Sequence, residues 1–344
     1  MAHAAELRRI SNHVEKLFTH GHAVIIGVGS DLPATVTDAK GIADILRDKG
    51  RCAYPSSQVH LLTDVKADRD NVLSELEAVS KEADSESTVV VYYSGHGYRI
   101  GQGAGARYYL MPFGYNPDKL DETAISGSDF TEAMRLIKAK KLLLLLDCCH
   151  AGGLDDAKAP GLDVAKAPLP RSAQNLLADG SGRVIIASSK EDELSFAGKP
   201  YSAFTLALIE ALSGKGVAKE DGFVRVADMA MYAHRMVPQR TADRQHPILN
   251  FEKADNFVLA YYAGGDEKPK GLTFNVEPSI EPEPGAWTLF DQKGQTVENQ
   301  MNIANPTGGF FQQGWKVSGD VNQAAGDITI NKESRRRARR DEND

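Results

Sequence analysis

The sequence predicts an α/β fold in which a mostly parallel central sheet is flanked by helices. Short apolar runs rich in β-branched residues recur over residues 23–262, as expected of strands that are buried on both faces. Segments in which apolar residues have helical spacing lie between these runs, and this alternation is typical of a parallel sheet. From about Gly264 the chain turns to Gly, Pro and Glu, which marks the end of this domain.

The elements follow one another in a regular order. A charged stretch over 5–18, within an N-terminal segment 1–20, is expected to be helical, and the apolar run over 23–28 predicts the first buried strand. Helical spacing then predicts a helix over 38–50, which ends on a glycine. Continuous apolar runs predict further strands over 58–63, 88–93, 142–146, 183–187 and 257–262. Helically spaced apolar residues predict helices over 69–83, 130–139, 201–212 and 224–236.

Composition and charge argue against several classes of protein. Of the 344 residues, 42% are hydrophobic and 25% are charged, as in an ordinary globular protein. The net charge of −7 argues against nucleic-acid binding, although a short basic run at 335–340 precedes the acidic C-terminus. No stretch approaches the ~18 apolar residues of a membrane span, and residues 1–20 lack the apolar run of a secretory signal. Three cysteines, two of them adjacent, make no disulfide framework, so a cytoplasmic protein is expected.

Two motifs lie where predicted strands end. Ser-Gly-His-Gly at 94–97 follows the strand over 88–93, and Asp-Cys-Cys-His at 147–150 follows the strand over 142–146. The carboxyl ends of parallel strands share one edge of a sheet, where ligands bind in open α/β folds. A histidine and a cysteine brought together there make an activated nucleophile, because the imidazole takes the thiol proton and passes it to the leaving amine. The sequence therefore predicts a site that contains His96 and one of the adjacent cysteines.

At these motifs the chain resembles the caspase superfamily, and more closely its metacaspases, including the prokaryotic ones, over roughly residues 20–262. The resemblance implies a caspase-like three-layer sandwich and a cysteine endopeptidase of a stress, defence or cell-death pathway. Chemistry alone leaves Cys148 and Cys149 as alternative nucleophiles, but in the family's Asp-x-Cys-His motif the nucleophile is the second cysteine. The resemblance thus assigns Cys149 as nucleophile. His150 is adjacent to it on an extended chain and is expected to point to the opposite side, so His96 is the predicted base. The backbone N–H groups of Gly97 and Cys149 are the candidate oxyanion donors.

The resemblance also predicts the substrate. Metacaspases cleave after Arg or Lys, and Asp38, Ser94 and Asp147 fall on positions that line their specificity pocket. Paired carboxylates hold a guanidinium through two parallel hydrogen bonds, and an ammonium with less geometric constraint. Asp38 has another interpretation, as a cap or first-turn acid of the helix over 38–50. Thr35 stands where many metacaspases have a cysteine, so the pocket wall differs and the preference between Arg and Lys stays open.

A segment over 155–178 divides the predicted catalytic domain, 21–263, into a large part, 21–154, and a small part, 179–263. It carries a near-repeat of Ala, Pro, Asp and Lys and is predicted to be a flexible loop. An enzyme that prefers basic residues could cleave itself there. The candidate self-cleavage sites are Lys158, Lys166 and Arg171. An intact single band after prolonged incubation of active enzyme would count against self-cleavage.

The predicted enzyme requires no cofactor, but calcium activation is common in metacaspases. Calcium needs a cluster of acidic oxygens at about 2.3–2.6 Å, and Asp155 and Asp156 lie near one expected position. The acid-rich run that usually follows the histidine is missing, because residues 98–107 contain no Asp or Glu. Further scattered candidates, which solvated surface acids explain equally well, are Asp118, Asp121, Glu122 and Asp129.

Residues 264–344 are predicted to form a linker, a small β module and an interaction tail. A hairpin is expected over 287–297. The stretch over 315–330 mixes Asn, Gln and Gly with β-branched residues and looks like short bacterial signalling motifs that assemble as amyloid-type cross-β. A signalling partner is therefore expected at 310–331, although an edge strand or a disordered tail fits the same composition. Deleting residues 310–344 tests that role.

Two other functions compete with that of a peptidase acting on proteins or peptides. The first is a catalytically silent caspase-like scaffold, and the second is an amyloid-type signalling adaptor that works through the tail. Neither nucleic acid nor a membrane is expected as a partner. Cleavage of Arg- and Lys-ending peptides by the parent protein, but not by Cys149→Ala, separates the enzyme from the scaffold.

Overall fold

The computed structural model describes residues 16–100, 107–148, 182–190, 195–251 and 254–275, together with Glu193 and short strands outside these ranges. The chain divides into two compact units, Met1–Pro282 and Glu283–Asp344. The predicted helix over 5–18 lies almost wholly outside the described residues, and residues 16–18 are not helical. None of the helices in the described ranges is both long and apolar enough to cross a membrane.

Strands and helices alternate along the first unit. Its strands are β1 Gly21–Gly27, β2 Val59–Thr63, β3 Thr88–Gly95, β4 Gly97–Ile100, β5 Arg107–Leu110, β6 Ile125–Ser126, β7 Lys141–Cys148, β8 Val164–Lys166, β9 Arg183–Ala187, β10 Phe223–Arg225, β11 Ile248–Asn250 and β12 Val258–Tyr261. Its α-helices are α1 Pro33–Arg47, α2 Arg69–Glu82, α3 Leu120–Thr123, α4 Gly127–Leu136, α5 Ala203–Leu212 and α6 Val226–Arg240. Short 3-10 helices span Ser56–Gln58, Asp64–Lys66 and Pro117–Lys119.

Six of these strands form a central sheet in the order β11-β9-β7-β3-β1-β2. Neighbouring strands are parallel except at β11, which pairs antiparallel with β9. This confirms the mostly parallel sheet that the sequence predicts. The pattern misses β11, because three residues are too few to show a period. Since β3 and β7 are adjacent and parallel, their carboxyl ends lie side by side, with Ser94 opposite Asp147.

Helices cover both faces of this sheet. On one face, Val72 of α2 and Phe130 of α4 belong to the same core cluster as the apolar side chains of β1, β3 and β7. On the other face α1 packs against α5, and Gly41 of α1 lies so close to Tyr201 and Ile209 that a Cβ would come within 2.4 Å of the Tyr201 ring. The three layers confirm the caspase-like sandwich.

A second, four-stranded sheet follows directly after β3, in the antiparallel order β6-β5-β4-β8. The sequence pattern does not predict it, because its strands are only two to four residues long and a Gly-rich stretch at 101–106 interrupts the apolar residues. Strand β8 lies inside the segment 155–178, so the predicted flexible loop contains three residues that pair with β4.

Two helices begin earlier than the sequence predicts. Helix α1 starts at Pro33 rather than at 38, since a proline suits the first turn, where its missing N–H costs no hydrogen bond. Helix α4 starts at Gly127 rather than at 130, because the Ser126 hydroxyl accepts a hydrogen bond from the Asp129 N–H and caps the helix. The earlier start of α1 places Asp38 inside the helix, away from its first residues.

Residues after β12 remain attached to the first unit. The Arg51 guanidinium donates to the Gly271 carbonyl oxygen at 2.9 and 2.8 Å, and the Phe274 ring lies 5.6 Å from that of Tyr201. The predicted linker therefore begins with a segment that packs on the sheet domain.

The described residues of the second unit form three short antiparallel strand pairs. They are β13 Leu289–Phe290 with β14 Thr296–Val297, β15 Ile303–Ala304 with β16 Phe310–Phe311, and β17 Asp320–Ala324 with β18 Asp327–Asn331. The first pair lies in the predicted hairpin over 287–297, and the third lies in the proposed signalling stretch. The signalling role of that stretch stays a prediction.

Candidate active site

The two sequence motifs meet at the carboxyl edge of the sheet. Strands β3 and β7 run in register to their ends, where Gly95 pairs with Cys148. His96 follows β3 directly and is 3% exposed. Its Nε2 lies 2.9 Å from Oδ2 of Asp31, a residue of the loop between β1 and α1. The histidine is thus held between the sheet edge and the loop that carries Asp31.

The cysteine in the last position of β7 faces the core. Cys148 is 2% exposed and belongs to the same core cluster as Leu144 and Leu146, since alternate residues of a strand share a face. Cys52 is also buried, and burial raises the pKa of its thiol. Neither thiol is placed to meet a substrate. Cys149, with the expected oxyanion donor at its N–H, lies outside the described residues.

Asp147 points to the opposite face of β7 from Cys148 and is fully buried. Three hydroxyl groups donate to its carboxylate: Ser195 Oγ to Oδ1 at 2.8 Å, Ser202 Oγ to Oδ2 at 2.7 Å and Thr205 Oγ1 to Oδ2 at 3.3 Å. Thr205 also lies 2.7 Å from the Tyr92 hydroxyl. These three hydrogen bonds offset the cost of burying the Asp147 carboxylate at this edge of the sheet.

Asp38 lies beside Asp147. Its Oδ1 accepts a hydrogen bond from the Ser202 N–H at 2.9 Å, so Ser202 contacts both acids. Its Oδ2 is buried and has no hydrogen-bond partner among the described residues. Burial, together with the nearby charge of Asp147, raises the pKa of Asp38 well above its usual range. The interpretation of Asp38 as a helix cap is wrong, because its carboxylate bonds to Ser202 rather than to the N–H groups of α1.

The expected pocket residues Asp38, Ser94 and Asp147 are therefore brought together, all of them fully buried. The sequence matches a family model described as the caspase domain of C14 peptidases over residues 20–258. The chain belongs to the caspase-domain family. This confirms the resemblance to the caspase superfamily and makes the protein a member of a cysteine peptidase family.

No curated protein matched the sequence. The structure is similar to the crystal structure of a protein from Geobacter sulfurreducens, with 17% sequence identity and a TM-score of 0.45; the match covers 67% of this chain and 92% of the other.

Several residues of the caspase domain's site were missed by sequence reasoning. The only sequence signal at Ser202 is a serine before an apolar run. That signal indicates a helix cap, and Ser202 does cap α5, but it does not indicate the contact with Asp147. Gln245 gave no signal. It is fully buried, accepts from the Phe196 N–H at 2.9 Å, and donates to Ser188 O at 2.9 Å and Ser195 Oγ at 3.1 Å. Gln245 thereby holds the loop that presents Ser195 to Asp147.

The calcium candidates do not assemble in the described part of the caspase domain. Asp121 accepts from Arg107 at 2.9 Å, Asp129 accepts from Arg69 at 3.1 Å, and Glu122 lies 3.5 Å from Lys119. Within the described ranges no group of three His, Cys, Asp or Glu side chains could hold a metal ion. The calcium site expected at Asp155 and Asp156 lies outside those ranges, and Asp118 is exposed.

Of the candidate self-cleavage sites, Lys158 and Arg171 lie outside the described residues. Lys166 is the last residue of β8 and pairs with Tyr98 of β4. A peptide bond in a paired strand enters a protease only after the pairing opens. The structure therefore makes Lys166 a poor cleavage site while β8 is in place.

Proposed function

We propose that this caspase domain is a cysteine endopeptidase that cleaves after Arg or Lys. The observation that carries the proposal is the pair of buried acids, Asp38 and Asp147, next to the strand end that carries His96. Among the described residues neither acid forms an ion pair with a Lys or Arg of the chain. Two buried carboxylates without a cation are costly, and a cationic side chain of a substrate would relieve that cost.

The reaction would use His96 and Cys149 in the order that their chemistry dictates. His96 takes the proton from the Cys149 thiol, and the thiolate sulfur attacks the carbonyl carbon of the scissile bond. The negative charge that develops on the carbonyl oxygen would be stabilised by the N–H groups of Gly97 and Cys149. As the C–N bond breaks, His96 gives its proton to the leaving amine. Water, deprotonated by His96, then hydrolyses the thioester and restores the thiol.

The two acids would share the recognition of the residue before the cleaved bond. Both oxygens of Asp147 already accept hydrogen bonds from hydroxyl groups, so Asp147 would act mainly through its charge. Oδ2 of Asp38 has no such partner among the described residues and can accept directly from a guanidinium or an ammonium group. Charge-assisted hydrogen bonds of this kind are about twice as strong as neutral ones.

Fluorogenic peptides that differ only at the residue before the cleaved bond test the proposal. We expect the parent protein, assayed with and without calcium, to cleave peptides ending in Arg or Lys and to leave those ending in Asp intact. Absence of cleavage under every condition would favour the silent scaffold. Cleavage after Asp would keep the peptidase and reject the role given to the two acids.

Asp38→Asn should stabilise the folded protein while it impairs the enzyme. A carboxyl whose folded pKa is raised contributes stability that is present at low pH and lost as pH rises through that pKa. Neutral pH lies above the ordinary pKa of a carboxyl, so the parent has already lost part of that stability there, whereas the amide of the variant does not titrate. We expect the melting temperature of the variant to exceed that of the parent at neutral pH, by roughly 2–4 °C for each kcal/mol gained, and the difference to shrink as pH falls.

The matched control is Asp44→Asn, which removes an exposed carboxylate from the same helix. Thermal unfolding of the three proteins across a pH series measures the effect. A difference between Asp38→Asn and the parent that does not vary with pH, or a variant less stable than the parent at neutral pH, would contradict the raised pKa of the buried Asp38 carboxyl.

A further inference from the structure

The contact between Asp31 and His96 has no counterpart in the predicted site. His96 Nε2 and Asp31 Oδ2 are 2.9 Å apart. The histidine side chain is 4% exposed and the aspartate side chain 35% exposed. A charge-assisted hydrogen bond that is partly shielded from water is stronger than a surface ion pair. Asp31 is therefore able to influence the imidazole.

The loop that carries Asp31 is held in place without help from His96. Gly29 and Ser30 have φ values of 71° and 60°, a left-handed conformation that non-glycine residues adopt rarely. The Thr35 hydroxyl accepts from the Gly29 N–H at 2.8 Å and donates to the Leu32 carbonyl at 2.7 Å, which closes the loop. The aspartate is thus presented by a pre-formed turn, as expected of a residue that positions another.

The same loop is hydrogen-bonded to β3, the strand that His96 follows. The Val28 N–H donates to the Ser94 carbonyl at 3.1 Å, two residues before the histidine. On its other side the histidine backbone is fixed by the Met111 N–H, which donates to the His96 carbonyl at 3.0 Å. The separation between Asp31 and His96 is therefore set by backbone contacts on both sides.

The other titratable groups that face the imidazole in the described residues are tyrosines. The ring of Tyr98 lies 6.2 Å from that of His96 in an edge-on arrangement. The ring of Tyr115 lies 6.3 Å from that of Tyr98. Burial raises the pKa of Tyr93, Tyr98 and Tyr115. These three hydroxyls are therefore neutral near neutral pH, and the charge next to the imidazole is that of Asp31.

We propose that Asp31 is the positioning residue of His96, an inference that rests on the proposed peptidase function. Its carboxylate accepts the proton-bearing Nε2, which leaves Nδ1 as the basic nitrogen. When Nδ1 takes the thiol proton, the S–H electron pair stays on sulfur and the imidazole becomes a cation. Asp31 neither gains nor loses a proton in this step. Its carboxylate stabilises the imidazolium cation, as the aspartate of a serine protease triad does.

Asp31→Asn tests the proposal, because the amide keeps the size of the side chain and removes its charge. We expect kcat on an Arg-ending peptide to fall by roughly 10²–10⁴-fold with little change in KM, since Asp31 is placed to touch His96 rather than the substrate. Asp31→Glu restores a carboxylate and should recover part of the loss. The matched control is Asp70→Asn, whose carboxylate is 92% exposed, and it should behave as the parent does.

A second readout does not require a peptide to be cleaved. The rate at which iodoacetamide alkylates Cys149 reports the thiolate that the imidazolium stabilises, and Cys149→Ala gives the background from the two buried cysteines. We expect Asp31→Asn to slow this alkylation at neutral pH several-fold while its melting temperature stays close to that of the parent.

The outcomes separate the two proposals. If no protein cleaves any peptide but Asp31→Asn still slows alkylation, the peptidase proposal fails and the role of Asp31 stands. If the parent cleaves the peptide and Asp31→Asn matches it in both kcat and alkylation rate, the role of Asp31 is wrong. Loss of activity in Asp31→Asn with an unchanged alkylation rate would also overturn it, and so would a loss that appears only in KM.

Discussion

Cys149→Ala should abolish peptide cleavage, whereas Cys148→Ala should retain most of it. Removing a catalytic nucleophile lowers kcat by at least roughly 10⁴-fold. Cys148 is 2% exposed and packs in the core with Leu144 and Leu146, so its thiol is turned away from the edge where His96 lies. The measurement is kcat/KM on an Arg-ending fluorogenic peptide for the parent and the two variants.

The two variants differ in a second way that serves as a control. Cys148→Ala removes a buried sulfur from the core and should cost about 1–2 kcal/mol of stability, seen as a lower melting temperature with activity retained. The opposite pattern, with activity lost in Cys148→Ala and kept in Cys149→Ala, would overturn the choice of nucleophile. It would also mean that the end of β7 changes conformation when substrate binds, so that the Cys148 side chain leaves the core.

Asp147→Asn should remove the preference for a basic residue before the cleaved bond. Loss of one partner of a buried charge pair costs roughly 2–5 kcal/mol, so kcat/KM on an Arg-ending peptide should fall by about 30-fold or more. The amide keeps an oxygen that can accept from Ser202 or Ser195, and neutralising Asp147 removes its repulsion with Asp38. We therefore expect the variant to remain folded.

Ser195→Ala is the matched control for this charge. It removes one of the hydroxyl groups that donate to Asp147 and leaves the carboxylate in place. A smaller loss than that of Asp147→Asn is expected, with the preference for Arg or Lys retained. Equal losses in the two variants would show that the hydrogen-bond network, and not the charge, sets the specificity.

The order of the longer strands and helices is predictable from this sequence because each of them carries an apolar pattern typical of a buried strand or of a helix. Strands β3 and β7, which carry Ser94 and Asp147, are long and buried on both faces, so their pattern is clear. The small sheet beside them is not predictable, because β4 and β5 have four residues each and a Gly-rich stretch separates them. The start of α1 at Pro33 could have been found, since proline favours a first helical turn.

Some residues of the site could likewise be predicted from the sequence, and others could not. His96, Asp38 and Asp147 lie in motifs that point to a family, whereas Ser202 reaches Asp147 across 55 residues of sequence. Nothing in a lone serine indicates such a contact. The contact of Asp31 with His96 was not predicted either, because an acidic residue in a loop is usually solvated. The core-facing orientation of the Cys148 side chain could have been predicted, because alternate residues of a strand share a face and Cys148 alternates with Leu144 and Leu146.

One comparison tests the central claim most directly, which is that charge at Asp38 and Asp147 selects the substrate. Two peptides are needed that differ only before the cleaved bond, one with arginine and the other with citrulline, its neutral counterpart of the same shape. The account predicts that the parent protein cleaves the arginine peptide with a kcat/KM at least about 30-fold higher, as expected for a buried charge pair. Equal kcat/KM values for the two peptides would contradict it.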